Sequence, residues 1–168
     1  MADYYPAFDI SPVPTPTLDT APPEVYRGIY AMPMFVTVPT SDLAASADFW
    51  IRGLGFIDLF TVPGNITHLR RWAFQDTLLV PSGRSPEVPL VSVTFACVLS
   101  QIDEVAAACE ELLPGCTTGP RQTPWNTVDL EVVTPENTRV ILTAARPLDP
   151  HSAEARFFES AGIELPEV

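Results

Sequence analysis

The feature that most constrains the fold of this chain is an internal repeat. In "MPMFVTVPTSD", alternating apolar residues predict a strand, and apolar residues at helical spacing follow it over residues 43–54. "FIDLFTV", "ITHLRRWAF" and "TLLVP" predict three more strands. The same order begins again at "VSVTFACV" and closes with the hairpin "QTPWNTVDLEVVTPENTRVILTA". The chain therefore contains two β-α-β-β-β units, about sixty residues apart.

Composition divides the chain into five segments. Residues 1–28 contain six prolines, which interrupt helices and sheet ladders, so we expect an extended arm packed on its own body or on a partner subunit, or a flexible tail. The first module occupies residues 29–81, a linker of turn residues 82–89, and the second module 90–146. Residues 147–168 form an acidic tail with a short helix around Ala153 to Ser160. The predicted fold class is α+β, with tandem βαβββ modules.

The charge and the cysteines restrict the partners. A formal net charge of −12 argues against nucleic acid and anionic membranes, and it either attracts cationic small molecules or only keeps the protein soluble. No run approaches the roughly 20 apolar residues of a membrane span, and "MADYYPAFDI" lacks the pattern of a secretory signal. Cys97, Cys109 and Cys116 have no zinc-like spacing, which indicates reduced thiols and a cytoplasmic location.

The order of these segments resembles the vicinal oxygen chelate superfamily, which includes glyoxalases, extradiol dioxygenases and bleomycin resistance proteins. "PWN" at 124–126 and "TPENT" at 134–138 are similar to the "PWG-x-RE-F" and "DP-x-GN" runs of the resistance proteins. "FQDTLLVPS" resembles the closing hairpin of the first module and "DLAASADFWIRGLGF" its helix. The resemblance covers residues 30–145 and implies curled mixed sheets around a cleft. In the resistance proteins such clefts lie at the interface of a homodimer.

The resemblance also implies four inward positions, on the first and last strand of each module, that hold a divalent metal ion in the metal-dependent members. In this chain they fall at Phe35, Leu79, Ser92 (or Val93) and Ile141. Phenylalanine, leucine and isoleucine have no lone pair to donate, and one serine hydroxyl cannot hold a cation alone. The chain also lacks a phosphate loop, a Ser/His/Asp ordering and a cofactor fingerprint. We therefore expect no metal and no other cofactor.

A cleft without a metal is predicted to bind a ligand. Its inward side chains are mostly apolar, with small hydroxyls and acidic groups, which suits a large planar molecule. Trp125 lies where the resistance proteins place a tryptophan against a ligand, and such stacking contributes about 0.5–1.5 kcal/mol. The predicted ligand-binding residues are Phe35, Thr37, Phe60, Leu79, Ser92, Thr94, Trp125, Asp129, Glu131 and Ile141. No residue is assigned a catalytic role.

The remaining prominent side chains are predicted to have structural roles. Trp50, Trp72 and Phe74 are expected in the core, against the helix of the first module. Arg70 and Arg71 are expected to be solvated or paired with carboxylates, and His68 to be a hydrogen-bonded polar neighbour. Asp129 and Glu131 share one face of a strand, where they fit general bases, a cation site or plain solvent exposure.

Together these features predict a homodimeric, metal-free binding protein, not an enzyme, that sequesters an aromatic antibiotic and gives self-resistance. The acidic charge favours a bleomycin-like cation, whereas the apolar cleft favours a polycyclic compound of the mitomycin or enediyne kind. One alternative is a metal-independent isomerase, cyclase or hydrolase of natural-product biosynthesis, with Glu131, Asp129 or His68 as its acid or base. A second alternative is an interaction module whose dimer is contacted by the N-terminal arm.

Overall fold

The computed structural model describes residues 16–28, 34–84, 86–89 and 92–160. The first module consists of β1 (Phe35–Thr40), α1 (Leu43–Arg52), β2 (Ile57–Val62), β3 (Ile66–Arg70) and β4 (Asp76–Pro81). The second module consists of β5 (Ser92–Cys97), a 3-10 turn (Leu99–Gln101), α2 (Ile102–Leu112), β6 (Thr117–Gln122), β7 (Thr127–Val133) and β8 (Arg139–Ala145). A last helix, α3 (Ala153–Ser160), lies where the short helix was predicted. The α+β fold of tandem βαβββ modules is thus confirmed.

Each module forms a four-stranded mixed sheet with the same topology. The strand orders are β1-β4-β3-β2 and β5-β8-β7-β6. In both sheets the first strand runs parallel to the last, and the other neighbours are antiparallel. The helix after the first strand covers one face of its sheet, and the opposite face of the first sheet is open.

The two long helices start in different ways. Asp42 caps α1, because its carboxylate accepts a hydrogen bond from the backbone N–H of Ala45 at 3.0 Å. Ser100 does not cap α2, which begins only after the 3-10 turn. The Ser100 hydroxyl instead donates to the carbonyl of Thr20 at 2.8 Å and so holds the N-terminal arm.

The core runs through both modules. Trp50, on α1, is fully buried, as predicted, and its ring meets Phe56 edge-on with centroids 5.0 Å apart. Phe95, on β5 of the second module, meets the same two rings at 6.2 and 5.1 Å. Edge-to-face aromatic pairs of this kind stabilise a core beyond the area that they bury. The two modules therefore pack as one body.

A buried carboxylate joins the modules. Glu136 lies in the β7–β8 turn and is 1% exposed. Its oxygens accept hydrogen bonds from Ser46 and Trp50 of α1, at 2.8 and 2.7 Å, and from Thr134 at 2.6 Å. A buried charge is tolerated only where such partners replace its hydration. The turn motif "TPENT" thus anchors the second module to the first helix.

The strand predicted over "ITHLRRWAF" ends early, at Arg70. Residues 71–75 form a turn in which Phe74 has a positive φ of 64°, so its ring is 54% exposed and the prediction that it is in the core is wrong. Trp72 is buried, as predicted. Arg71 is neither solvated nor paired with a carboxylate: its guanidinium donates to the carbonyls of Leu54 and Ala96. Burial lowers the pKa of Arg71.

The described part of the N-terminal arm, residues 16–28, packs on its own body. Thr20 is bound by Ser100, and the carbonyls of Tyr26 and Gly28 are bound by Arg70. Residues 1–15 of the predicted arm lie outside the described residues. No helix within the described ranges is long and apolar enough to cross a membrane.

Candidate functional site

The open face of the first sheet forms a cavity of ≈ 470 Å³. In-register neighbours across a sheet point to the same face, and one row of such neighbours crosses all four strands: Thr37, Leu78, His68 and Phe60. The row at the end of the sheet contains Phe35, Asp76 and Arg70. The cavity is lined by Arg27, Gly28, Phe35, Leu59, Phe60, Ile66, His68, Arg70, Asp76 and Leu78.

A histidine–aspartate pair lies at the base of this cavity. The Nε2 atom of His68 is 3.0 Å from a carboxylate oxygen of Asp76, and both side chains are buried. Because an ionised carboxylate only accepts, Nε2 donates this bond, which leaves Nδ1 for other contacts. Among the described residues no side chain or carbonyl bonds Nδ1. The pair therefore has the arrangement of a proton-transfer group with its orienting carboxylate.

Arg70 holds this pair in place. Its guanidinium binds both oxygens of Asp76, with Nε at 2.6 Å from one and Nη2 at 2.7 Å from the other. Nη1 donates to the carbonyls of Tyr26 and Gly28, at 2.9 and 2.6 Å. Forked arginine–carboxylate contacts of this kind fix geometry as well as neutralising charge. Of the two alternatives predicted for Arg70, solvation or pairing with a carboxylate, the structure shows the pairing, and the contacts of Nη1 fix the arm beside the cavity.

Two phenylalanines stand on either side of the histidine. The rings of Phe35 and Phe60 each meet His68 edge-on, with centroids 5.2 Å apart in both cases. They are 42% and 50% exposed, which is unusual for so large an apolar side chain. Exposed aromatic side chains around polar groups at the bottom of a cavity suit a planar ligand.

The structure corrects one of the predicted ligand positions. Phe35, Thr37 and Phe60 lie on the cavity face, whereas Leu79 is fully buried in the core. The prediction that Leu79 points inward is therefore wrong by one residue, and Leu78 lines the cavity instead. A one-residue slip moves a strand position to the other face, because successive side chains alternate.

In the second sheet, the predicted residues do share one face. Thr94, Ile141 and Glu131 are in-register neighbours on three strands, and Ser92 and Asp129 lie two residues along. Both carboxylates are bonded within the sheet. Asp129 accepts from the hydroxyls of Thr127 and Thr143, each at 2.8 Å, and Glu131 pairs with Arg139 and raises its pKa. The ligand-binding role of these five residues stays a prediction.

Trp125 lies in the turn between β6 and β7, away from the cavity of the first module. Its indole is 60% exposed and packs against Phe157 of α3, with ring centroids 5.7 Å apart. Asn126, with a positive φ of 59°, turns the chain there, and its side chain donates to the carbonyl of Arg146 at 2.9 Å. Ligand contact by Trp125 remains a prediction, and a ligand would share the ring with Phe157.

The side chains at the family's metal positions do not fit a divalent ion. Phe35 and Ile141 face the two open surfaces with no donor atom, and neither Leu78 nor Leu79 offers one. Ser92 contributes a single hydroxyl. Within the described ranges, no three His, Cys, Asp or Glu residues are grouped so that they could hold a metal.

Sequence reasoning missed Asp76, Leu78 and the arm residues Arg27 and Gly28 as parts of this site. The sequence did indicate part of the site. His68 and Arg70 alternate with the core residues of β3, so both side chains lie on the open face. Asp76 was interpreted only as a turn residue. Its place opposite β3 depends on where the turn begins, which periodicity does not show.

In sequence the chain matches no protein-family model and no curated protein. Its fold, however, is that of the glyoxalase, bleomycin resistance and dioxygenase proteins, which confirms the resemblance at the level of the fold. A protein of that description from Nocardioides superposes with a TM-score of 0.53 at 17% identity, covering 74% of this chain and 91% of the other. Fosfomycin resistance protein FosX from Mesorhizobium loti has a TM-score of 0.56 at 11% identity, covering 77% and 99%. Lactoylglutathione lyase from Agrobacterium tumefaciens has a TM-score of 0.52 at 16% identity, covering 68% and 94%.

These likenesses overturn the prediction that the chain is not an enzyme. The lactoylglutathione lyase is an enzyme by name, and a FosX from Listeria monocytogenes was solved with Mn(II) and a dihydroxypropylphosphonic acid. The fold therefore gives no ground for a binding-only role. The ground offered by the sequence was the lack of metal ligands, and that lack does not bear on the His68–Asp76 pair, which lies outside those positions.

Proposed function

We propose that the protein binds an aromatic natural product in the cavity of the first module and moves a proton on it through His68, without a metal ion held by the chain. The observation that carries this proposal is the position of His68, whose ring lines the apolar cavity while Asp76 orients it. The ligand class is the one predicted from the sequence, an antibiotic of the bleomycin, mitomycin or enediyne kind. The reaction class is isomerisation, cyclisation or hydrolysis.

The dimensions and lining of the cavity support small-molecule binding. Its ≈ 470 Å³ lies within the range of about 300–1,000 Å³ that is common for ligand pockets. The walls are apolar, and the polar groups converge at one end, which orients a ligand. A positioned histidine contributes a rate factor of about 10²–10⁴ by proton transfer, with no need for a Lewis acid.

Self-resistance is the proposed biological outcome. Chemical alteration of a toxic compound inside the cell that makes it protects that cell. Four of the similar structures are named as resistance proteins, which supports this outcome without assigning their ligands to this chain. The three cysteines are free and buried, which supports the cytoplasmic location proposed from their number and spacing.

A homodimer remains part of the proposal. Apolar side chains near the open face are exposed, among them Met34 at 72% and Val62 at 45%, beside Phe35 and Phe60. Exposed apolar surface of this kind is commonly covered by a partner. Light scattering after size-exclusion chromatography is expected to give twice the mass of the 18.3 kDa chain, and a monomer at micromolar concentration would contradict this part.

The test combines binding with turnover. Protein at a low ratio to each compound of an aromatic antibiotic panel is incubated, denatured and analysed by mass spectrometry, and ligand-induced thermal stabilisation is measured in parallel. We expect at least one compound both to stabilise the protein and to be converted over many turnovers. Protein dialysed against a chelator is expected to keep this activity, because no step uses a metal.

Matched histidine variants isolate the proposed group. His68→Asn is expected to keep binding and to lose turnover by about 10²-fold or more. His151→Asn, which changes the other histidine of the chain, is expected to leave both unchanged, because His151 is exposed and outside the cavity. If the wild-type protein binds compounds but converts none of them, the proton-transfer role is contradicted. If no compound of the panel binds, the whole proposal is contradicted.

A further inference from the structure

We infer that the cavity selects aromatic ligands that carry an anionic group, such as a carboxylate, sulfonate or phosphate, and that Arg27 of the N-terminal arm is the residue that selects them. This inference rests on the proposed function, because it concerns the ligand of the same cavity. It reverses the preference for cationic ligands that the overall charge of −12 had suggested, and so removes the bleomycin-like cation from the proposed ligand classes.

The backbone on both sides of Arg27 is fixed. Nη1 of Arg70 binds the carbonyl before this residue, on Tyr26, and the carbonyl after it, on Gly28. The Tyr26 ring lies under the same guanidinium, 5.7 Å from its centre. The ring also folds back over Gly28, where a Cβ atom would collide with the tyrosine hydroxyl. Because its neighbours are held in this way, Arg27 is kept at the rim of the cavity rather than in solvent at random.

Arg27 has a positive charge with no paired carboxylate in the part of the chain that the structure describes. Within the described ranges its side chain forms no ion pair, although the chain is rich in acidic residues. By contrast, Arg70 is paired with Asp76 in the same cavity. Aside from His68, two arginines and one aspartate line the cavity, which leaves one positive charge.

The local charge decides the preference, because distant charges are screened. At physiological ionic strength the screening length is about 8 Å, so the acidic residues elsewhere on the surface contribute little inside the cavity. A ligand with an apolar ring system and one anionic group fits this lining. Its rings would lie between Phe35 and Phe60, and its charge would face Arg27. An exposed ion pair is worth about a two- to fivefold change in affinity.

Two fluorescent probes with one chemical difference test the inference. 1-Anilinonaphthalene-8-sulfonate and N-phenyl-1-naphthylamine share the aromatic body, and only the first carries a sulfonate. Dissociation constants are measured by fluorescence titration for the wild-type protein, Arg27→Gln and the control Arg84→Gln, which changes an exposed arginine of the linker. Phe60→Ala, which removes one cavity wall, shows whether the probes occupy the cavity.

The expected result is a loss of two- to fivefold in sulfonate affinity for Arg27→Gln, with unchanged affinity for the neutral probe and no effect of Arg84→Gln. High salt should reproduce that loss, and Phe60→Ala should weaken both probes. An equal effect of Arg27→Gln on both probes, or none on either, overturns the charge preference while cavity binding stands. Wild-type protein that binds neither probe, or Phe60→Ala that binds both as wild type does, overturns the inference together with the cavity binding on which it rests.

Discussion

Glu136 provides the sharpest test of how the two modules are joined. Three donors converge on its buried carboxylate, and two of them, Ser46 and Trp50, come from the first helix. Glu136→Ala removes the acceptor. The Ser46 hydroxyl can still bond Thr40, 2.7 Å away, but the indole N–H of Trp50 is rigid and loses its partner inside the core.

The expected loss of stability in Glu136→Ala comes mainly from the indole N–H of Trp50, which has no other acceptor among the described residues. A buried donor left without an acceptor costs about 1–3 kcal/mol, and the weakened hydroxyl contacts add to it. We therefore expect Glu136→Ala to lower the free energy of unfolding by about 2–4 kcal/mol. Glu136→Gln keeps one acceptor oxygen of the same shape, so we expect it to lose about half as much.

Urea denaturation followed by circular dichroism measures both changes, as a lower midpoint at an unchanged slope. Glu111→Ala is the matched control, because Glu111 is exposed on α2 and makes no described contact, and exposed changes of this kind stay within about 0.5 kcal/mol. If Glu136→Ala is no less stable than Glu111→Ala, the carboxylate does not join the modules and the reasoning is refuted.

Three further predictions concern the carboxylate of Glu110, the thiol of Cys109 and the two leucines of β4. Hydrogen bonds from Thr117, the first residue of β6, led by its hydroxyl, and from the backbone of Gly115 lower the pKa of Glu110 from its usual 4.5. This contribution to stability is present above pH 4.5 and is lost as the pH falls through the lower folded-state pKa, so Glu110→Gln should flatten the acid limb of a stability–pH curve, and an unchanged limb contradicts it. Burial raises the pKa of the Cys109 thiol to about 12, so a disulfide reagent at pH 8 should react with it only after unfolding; fast labelling of Cys109 in the native protein contradicts this burial. Leu79→Ala should cost about 2–5 kcal/mol of stability, whereas Leu78→Ala should cost less and weaken aromatic probe binding. The reverse result would restore the original assignment of Leu79 to the cavity.

The candidate site was predicted from the sequence only in part. Phe35 was placed on the open face by the resemblance, and Thr37 shares that face because side chains alternate along a strand. The position that the resemblance implied at Leu79 was wrong by one residue, because the face of a strand depends on where the preceding turn ends. The turn at residues 71–75 contains Phe74 in a left-handed conformation, and this shortens β3 and sets the face of β4.

The role of His68 shows the same limit. As a single residue on a predicted strand, it was interpreted as a polar neighbour, and the rest of the pair was hidden eight residues further along the chain. The antiparallel register of β3 and β4 brings the two together, and a forked contact from Arg70 completes the group. The exposure of Phe35 and Phe60 then makes the group part of a cavity rather than of the core.

By itself the sequence determined the architecture. Two periods, near 3.6 residues for helices and 2 for strands, recur in the same order in both halves, and such patterns are read along the chain without knowledge of its partners. Only the tertiary structure decided which side chains meet: His68 with Asp76, Glu136 with Trp50, and Arg70 with the carbonyls that hold Arg27 at the cavity. These contacts depend on strand register, on turn geometry and on the path of the arm. Each of these is a property of segments packed against one another, and no periodicity within a segment contains it.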